Sequence, residues 1–329
     1  MQVTSKELLM GKPPEDRYDY IAVGHVTLDV IEDRAGGTVS QAGGSAFYSA
    51  LQAARLGLRA LIVTQGVSHE IHALLEPFSD ELDLRVIPAT HTTTLSTRGS
   101  GTRRSQRMLA WAGPIVEPLT LDTEILHLAP VARETPLAWQ GRARFVGLTP
   151  QGLVRSWEPA EDVPLVQLDT GSLLGDVPLS GGGSATLAGD ISPVDLDANL
   201  LPDRFSAAVI SEEECGSCHA LFAVARSGGA YVAVTAGSRP ATVHLPTPSV
   251  GSVLQTGVPR VVEPRDDLGA GDVFAAAFFV ALHEGRGPLE AATFANTAAA
   301  MRIADVGPGA VATRGRIEAT MSVDRPDLT

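Results

Sequence analysis

Short apolar runs, rich in β-branched residues, alternate along the chain with longer stretches of helical periodicity. The runs that predict buried strands are DYIAVG, RALIVTQG, ILHLAP, RFVGLTP, LVQLD, AAVIS and YVAVTAG. The stretches that predict helices are Ser45–Arg55, Glu212–Arg226, Asp272–His283 and Leu289–Ile303. Continuous apolar strands that alternate with helices are typical of a mainly parallel sheet covered on both faces. The predicted fold class is therefore α/β, a doubly wound, mainly parallel sheet with helices on both faces.

Two polar stretches, residues 30–42 and 89–112, interrupt this alternation. They are rich in Thr, Ser, Gly and Arg and contain short alternating segments such as THTTTLST and RRSQRML. Alternation of this kind is typical of exposed strands, so we predict a small β sheet that covers the site as a lid. The domain is predicted to span residues 18–317, between an N-terminal tail, 1–17, and a C-terminal tail, 318–329. The long irregular connection 169–205 has the length of a functional or mobile loop.

Composition narrows the classes of partner. A chain of 329 residues with 44% hydrophobic content can bury a large core, and its net charge of −13 repels nucleic acid and anionic membranes. No segment holds 18 uninterrupted apolar residues, and the N-terminal residues lack the basic start and apolar stretch of a signal peptide. We therefore expect a cytoplasmic protein that binds neither nucleic acid nor membrane.

Lysine usage excludes several mechanisms. The only lysines are Lys6 and Lys12, both in the polar N-terminal tail. A P-loop and a protein kinase each need a lysine on the nucleotide phosphates, and pyridoxal chemistry needs a lysine Schiff base. A bound phosphate must therefore be held by backbone amides, arginine or a metal.

The run DDLGAGDVFAAAFFVALHEG, residues 266–285, carries the strongest chemical signal. Gly269 and Gly271 lack the Cβ atoms that would keep an anion from the backbone, and the apolar stretch after them predicts a buried helix. Asp272 falls in the first turn of that helix, where the helix dipole favours its charged form. The pairing indicates phosphoryl transfer to an alcohol. The alternative is a glycine-rich turn that carries an ordinary acidic residue.

The two cysteines, Cys215 and Cys218, form CGSC before His219, a pattern shared by redox, zinc and haem sites. A zinc site needs further ligands, haem attachment needs an exported chain, and a redox motif should follow a strand at the start of its helix. Here the pair falls inside a predicted helix, after SEEE. We interpret both cysteines as reduced, structural thiols.

Several separated motifs together resemble the ribokinase-like (PfkB) carbohydrate kinases. They are GHVTLD at 24–29, GGSAFYSALQAARLG at 43–57, SEEE at 211–214, VTAG at 234–237, DDLGAGDVF at 266–274 and FANTAAAMRIADVGPGA at 294–310. The resemblance runs from Tyr18 to Ile317. It implies a doubly wound sheet with a β lid, ATP beside the C-terminal strands and helices, and an acceptor alcohol between sheet and lid.

The resemblance implies a role for each matching residue of the donor side. Asp272 matches the general base, and Gly269, Ala270 and Gly271 match the anion hole for the transferred phosphoryl group. Glu214 matches an acidic residue linked to Mg²⁺ through water. The residues that match the nucleotide contacts are Thr235, Gly237, Asn296 and Ala299. The implied cofactors are ATP and Mg²⁺, and a monovalent cation is compatible with the family pattern.

On the acceptor side, Asp29 matches a carboxylate that binds acceptor hydroxyls, and Gly43 and Gly44 match a diglycine that lets the acceptor approach the backbone. Tyr48 stands at an acceptor-contacting position, and Arg104 offers a charge to a sugar phosphate. The chain departs from the family pattern at three positions. Ser211 and Tyr48 each stand where the family has asparagine, and Asp267 stands where it has threonine.

We therefore predict an ATP-dependent kinase that phosphorylates a hydroxyl of a sugar or cyclic polyol. The GLTPQG and GGSAF segments resemble an inositol-kinase-like branch, and the lid segments carry no aromatic side chain before Trp111 to sandwich a base. The alternatives are a nucleoside kinase of the same family and a non-catalytic regulator that binds sugar and nucleotide. By analogy with the family, the lid could also form a homodimer. The acceptor, its reacting hydroxyl and the oligomeric state stay open.

Overall fold

The computed structural model describes residues 17–32, 37–99, 105–135, 138–157, 189–246, 252–257 and 263–323. The strands are β1 Tyr18–Val23, β2 Thr27–Glu32, β3 Thr38–Gly43, β4 Ala60–Gly66, β5 Asp83–Pro88, β6 Thr94–Arg98, β7 Ser105–Ala110, β8 Thr123–Leu128, β9 Ala143–Leu148, β10 Arg155–Ser156, β11 Gly189–Asp190, β12 Ser192–Pro193, β13 Ala207–Ser211, β14 Tyr231–Ala236, β15 Arg239–His244 and β16 Val253–Gln255. The helices are α1 Ser45–Arg55, α2 Ser68–Leu75, α3 His219–Gly228, α4 Ala270–His283, α5 Pro288–Ile303 and α6 Arg314–Val323.

Nine strands form the main sheet in the order β16-β15-β14-β13-β9-β8-β1-β4-β5. The strands from β14 to β5 in this order pair in parallel, whereas β15 and β16 add antiparallel at one edge. The inner strands are apolar along their length because both of their faces are covered. The predicted doubly wound, mainly parallel sheet is confirmed.

Helices cover both faces of the main sheet. On one face α4 packs beside α1 and α5, and its residues from Val273 to Ala281 are all buried. A helix that is apolar all round has to lie inside the protein, as the run AAAFFVALH predicts. On the other face α3 buries Leu221 and Ala225 against the sheet. The start of α4 thereby comes to the carboxyl ends of the central strands.

A second sheet has the order β11-β7-β6-β2-β3 and is built largely from the two polar stretches. The chain passes from β1 through residues 24–26 directly into β2, and it returns from β3 into α1. The buried carboxylate of Glu134 fixes this crossing, because it accepts hydrogen bonds from the backbone N–H groups of His25, Val131 and Ala132 at 2.6–2.9 Å. The predicted small β lid is confirmed. Its strand β11 was not predicted, and the homodimer through the lid stays a prediction.

Some element bounds differ from the sequence prediction. The third predicted helix begins at His219 rather than Glu212, and Cys215–Ser217 form a short 3₁₀ turn before it. The reason is local, because the Glu214 carboxylate accepts a hydrogen bond from the backbone N–H of Ser211 at 2.8 Å and closes a turn there. Helix α6 crosses residue 317, where the domain was predicted to end. The LVQLD strand and most of the N-terminal tail lie outside the described residues.

In the part of the chain that the structure describes, no helix combines the length and the apolar character needed to cross a membrane.

Candidate active site

A cleft opens between the lid and the carboxyl ends of the main sheet. Strand ends, the starts of α1 and α4, and lid strands all contribute to it. Its described lining comprises Thr27, Asp29, Gly44, Ser45, Tyr48, Leu95, Gln106, Val131, Thr149, Gln151, Arg155, Val209, Ile210, Ser211, Glu214, Thr235, Asp267, Leu268, Gly269, Gly271 and Asp272. The cleft therefore gathers residues from motifs far apart in the sequence, and most of the predicted site residues are among them.

The turn before α4, residues 266–271, lies at the floor of the cleft, and we call it the phosphate turn after the role predicted for it. Gly269 adopts φ +73° and caps the helix, and the N–H of Ala270 donates to the carbonyl of Asp267 at 3.3 Å. Gly271 has an ordinary φ, and a Cβ built on it would meet nothing within 4 Å. Among the three predicted anion-hole residues, Gly271 thus has the open backbone, whereas the N–H of Ala270 already has a partner within the turn. Asp272 lies in the first turn of α4 and lines the cleft.

The shape of this turn depends on Tyr48. A Cβ on Gly269 would lie 2.3 Å from the Tyr48 ring, so the ring occupies the space where any other residue would place its side chain. The Tyr48 side chain is fully buried, and its hydroxyl accepts a hydrogen bond from Arg302 at 3.4 Å. Burial raises the pKa of this hydroxyl. Tyr48 therefore borders the cleft with its ring, and its hydroxyl is directed to the protein interior.

Asp29 lies across the cleft, at the start of the lid. It is almost fully buried, and one of its carboxylate oxygens, Oδ1, accepts a hydrogen bond from the Thr27 hydroxyl at 2.7 Å. A Cβ on Gly43 would lie 2.1 Å from the other oxygen, Oδ2, and 2.7 Å from the Thr27 hydroxyl. Gly44 adopts φ +97°, and a Cβ there would lie 2.2 Å from the carbonyl oxygen of His25. The diglycine thus makes room for groups of the protein itself, first of all the Asp29 carboxylate.

A chain of buried polar groups runs below the cleft. The Tyr20 hydroxyl lies 2.7 Å from His127 Nδ1, and His127 Nε2 lies 3.0 Å from the hydroxyl of Thr149, which lines the cleft. Burial lowers the pKa of His127 to about 3, so the imidazole is neutral at physiological pH. Burial also raises the pKa of Tyr20, with a contribution from the nearby charge of Asp272. The side chains of Tyr20, His127 and Thr149 therefore pack beneath the cleft without adding a charge to it.

Glu214 lines the cleft from the end of β13, and its carboxylate is held by the backbone of Ser211. The described residues contain no group of three or more Asp, Glu, His or Cys side chains arranged for a metal ion. Mg²⁺ usually keeps several waters and is bound by one or two carboxylates together with substrate phosphates, so a single carboxylate such as Glu214 is compatible with it. The link from Glu214 to Mg²⁺ through water stays a prediction.

The predicted nucleotide residues divide into two groups. Thr235 lines the cleft at the end of β14. Gly237 follows in a turn with φ +59°, and Asn296 donates to the carbonyl of Gly257 at 2.9 Å, beside β16. Gly237, Asn296 and Ala299 stand outside the described lining of the cleft, towards the antiparallel edge of the main sheet. Arg104 lies outside the described residues.

Two arginines near the site were missed by the sequence analysis. Arg155 donates to the carbonyl of Val131 at 3.1 Å and to the side-chain oxygen of Gln106 at 2.8 Å, so it joins the main domain to the lid. Its place three residues after GLTPQG was the available signal. Arg302 lies below the phosphate turn and is fully buried. Nothing in the local sequence distinguishes it from the exposed arginines.

The cysteines have the environment of structural thiols. Burial raises the pKa of Cys215, and it raises the pKa of Cys218 to about 12, with Glu214 as a further cause in both. Both side chains are therefore protonated at physiological pH, which disfavours a reactive thiolate at either cysteine.

Comparison with known proteins supports the family resemblance that the sequence motifs indicate. Residues 206–314 match the family model described as "pfkB family carbohydrate kinase". The resemblance to the ribokinase-like carbohydrate kinases is confirmed. The matched segment includes the phosphate turn, Glu214 and all four predicted nucleotide residues.

Individual relatives are distant or match in part. Ribokinase of Bacillus subtilis (strain 168) is 47% identical over 62 residues, which are 18% of this chain and 21% of that protein. The match therefore spans about a fifth of the curated relative. A pyrophosphate-dependent kinase of the ribokinase family, complexed with a pyrophosphate analogue and myo-inositol, has a TM-score of 0.64 at 18% identity, covering 91% of this chain and 99% of that one. Arabidopsis thaliana ribokinase, complexed with ribose and ATP, has a TM-score of 0.61 at 17% identity, covering 93% and 99%. These two structures show that the ribokinase fold extends over the chain.

The two glycines of the phosphate turn should respond differently to alanine. We expect Gly271→Ala to keep or raise the free energy of unfolding by about 0.4–1 kcal/mol, because its φ is ordinary and its Cβ meets open space. Its Cβ should however weaken the binding of a phosphate donor. Gly269→Ala should lower the free energy of unfolding by roughly 1–3 kcal/mol, through its positive φ and the Tyr48 ring. Denaturant unfolding and calorimetric titration with ATP and pyrophosphate measure both effects. Unchanged donor affinity in Gly271→Ala would show that no anion binds there.

The Gly43–Asp29 contact can be tested by a double-mutant cycle. Gly43→Ala should lower the free energy of unfolding by roughly 1–3 kcal/mol, because the new Cβ overlaps the Asp29 carboxylate. Most of that loss should disappear when Asp29→Ala is made in the same chain, since contacting residues couple energetically. Denaturant midpoints of the wild type, both single variants and the double variant give the coupling. Additive effects would contradict the close approach.

Proposed function

We propose that this protein is an ATP-dependent kinase that phosphorylates a hydroxyl group of a sugar or cyclic polyol. The observation that carries the proposal is that two carboxylates, Asp29 and Asp272, line one cleft together with the glycine turn at the start of α4. The turn binds the transferred phosphoryl group. Asp272 accepts the proton of the attacking hydroxyl, and Asp29 binds neighbouring hydroxyls of the acceptor.

The chemistry needs little beyond positioning and charge neutralisation. Phosphoryl transfer passes through a loose transition state whose charge is spread over the equatorial oxygens. The dipole of α4 and the N–H groups at its start stabilise this charge, and a nearby carboxylate takes the hydroxyl proton. Bound Mg²⁺ would offset the charge of the donor phosphates in a cleft that already contains four described carboxylates: Asp29, Glu214, Asp267 and Asp272.

The lining of the cleft favours an acceptor with several hydroxyl groups. Thr27, Thr149, Gln106 and Gln151 offer hydroxyl and amide groups, and Tyr48 is the aromatic residue among the described lining residues. A nucleoside base is usually stacked against aromatic rings, and among the described lining residues Tyr48 supplies the one such ring, beside apolar side chains such as Leu95 and Val131. Arg155 is the cation of the described lining, and its hydrogen bond to Gln106 ties it to the lid. A nucleoside acceptor is therefore the second candidate.

A panel of donors and acceptors tests the proposal. ATP and pyrophosphate are each combined with sugars, inositols, sugar phosphates and nucleosides, and phosphorylated products are detected by mass. We expect turnover with ATP and at least one sugar or cyclic polyol. Turnover with nucleosides alone would favour the second candidate. Binding of sugar and nucleotide without turnover would support a regulator.

Asp272→Asn should remove the base while the shape of the turn is kept. We expect kcat to fall by roughly 10² to 10⁴ with little change in ATP affinity, because the N–H groups that bind phosphate are unchanged. Asp267→Asn is the matched control, since it removes the same charge from the same turn. Its kcat should fall by less than about tenfold. Equal losses in the two variants would show that charge rather than proton transfer is responsible.

Asp29→Ala should affect the acceptor and spare the donor. Loss of a charged hydrogen-bond partner costs about 1.5–3 kcal/mol, so the acceptor KM should rise by roughly 10- to 100-fold. The dissociation constant of ATP, measured by calorimetry, should stay level. Weaker ATP binding with an unchanged acceptor KM would mean that the two subsites are reversed.

A further inference from the structure

Arg302 is a buried cation for which the proposed reaction has no direct use. It lies near the end of α5, its side chain has no exposed surface, and it is the largest fully buried side chain of the described residues. Burying a guanidinium is costly unless its charge is paired and its N–H groups are bonded. The surroundings of Arg302 therefore have to supply oxygen partners.

The partners come from three separate segments. One terminal nitrogen of Arg302, Nη2, donates to Asp266 Oδ2 at 2.7 Å and to the Tyr48 hydroxyl at 3.4 Å. The other, Nη1, lies 3.2 Å from the carbonyl oxygen of Asp305 and 3.4 Å from that of Asp266. The guanidinium thus sits among a carboxylate, two carbonyls and a hydroxyl. Such a set of oxygens is also suited to a small inorganic cation.

Both side-chain contacts of Arg302 lead to the phosphate turn. Asp266 begins the turn, and its carboxylate also accepts hydrogen bonds from the backbone N–H groups of Leu268 and Gly307, each at 3.0 Å. The Arg302 guanidinium carbon lies 5.3 Å from the centre of the Tyr48 ring, which packs against Gly269. Arg302 therefore touches the two groups that fix the backbone at residues 266–269.

Charge gives a second reason for an arginine here. The segment DDLGAGDVF carries three carboxylates and no lysine or arginine, although a phosphate has to bind to it. Burial acts to raise the pKa of Asp266, but hydrogen bonds from Arg302, Leu268 and Gly307 hold that pKa below its usual value. Asp266 is accordingly ionised, and the guanidinium offsets its charge below the turn.

We propose that Arg302 is a built-in cation that positions the phosphate turn and neutralises it, so that the turn can accept an anionic donor. Arg302 acts through Asp266 and Tyr48 and is a positioning residue. The inference rests on the proposed function, since it assumes that the turn binds the donor phosphate. It also implies that this oxygen set takes no dissociable cation in the wild-type protein.

The test compares two side chains of similar length that differ in charge. Arg302→Lys should keep donor affinity within about threefold of wild type, whereas Arg302→Met should weaken it by about tenfold or more, because it leaves the Asp266 carboxylate without its cation in a turn that has to accept an anion. Calorimetry with ATP and with pyrophosphate measures donor affinity, and a separate titration measures acceptor affinity. The latter should stay level in both variants. Equal losses of donor affinity in Arg302→Lys and Arg302→Met would overturn the proposal.

A matched arginine separates positioning from general stability. Arg55 donates to the carbonyls of Pro308, Gly309 and Val311, beside the same loop, and pairs with Glu81, with no contact to the turn. We expect Arg55→Ala to lower the unfolding midpoint and to leave donor affinity unchanged. A loss of donor affinity in Arg55→Ala equal to that in Arg302→Met would also overturn the proposal.

Chemical rescue adds a readout that a purely structural role would not move. Arg302→Ala opens a cavity lined by the same oxygens, so guanidinium at concentrations well below those that unfold the protein should restore its donor binding. Restoration by K⁺ would equally support a cation role, whereas failure of both cations in a folded Arg302→Ala protein would oppose it. Should that variant not fold, the comparison of Arg302→Lys with Arg302→Met decides alone.

The proposed function and this inference can fail separately. If the wild type binds neither ATP nor pyrophosphate, the proposed function fails. If the wild type binds them and Arg302→Met binds them equally well, only this inference fails.

Discussion

The contact between Gly269 and the ring of Tyr48 is the constraint on which the site depends. It requires a glycine in the left-handed region at the start of α4, and it brings α1 and α4 together at the carboxyl ends of the central strands. From that point the apolar helix α4 runs through the core, so its first turn is held firmly. A rigid helix start can present oriented N–H groups to an anion without reorganising when the anion binds.

The two halves of the cleft are fixed by different means. On the donor side, ionic and backbone hydrogen bonds around Asp266 hold the turn. On the acceptor side, the main sheet passes into the lid within three residues, and Asp29 fits against Gly43 where no side chain could be tolerated. A buried glutamate, Glu134, ties this crossing to the loop after β8. Both reacting sides thus stand on rigid elements, which suits a reaction that depends on positioning.

The sequence was informative where one local rule determines the structure. Continuous apolar runs predicted the parallel strands, and the glycine spacing with Asp272 predicted the helix start, because both patterns depend on neighbours in the chain. Long-range partners could not be predicted. Arg302 has the same residue type as many surface arginines, and its burial depends on oxygens of Tyr48 and Asp266, which are distant in sequence, as well as on the nearby carbonyl of Asp305. The start of α3 was also misplaced, since the turn closed by Glu214 competes with helix formation.

The most direct test of this account is the crystal structure of the protein with a non-hydrolysable ATP analogue, Mg²⁺ and an acceptor found by the turnover panel. The account predicts the terminal phosphate at the backbone of residues 269–271 and the reacting hydroxyl about 2.6–3.2 Å from the Asp272 carboxylate, with Asp29 on a neighbouring hydroxyl. A terminal phosphate bound elsewhere, or an acceptor whose hydroxyls lie beyond the reach of Asp272, would contradict it.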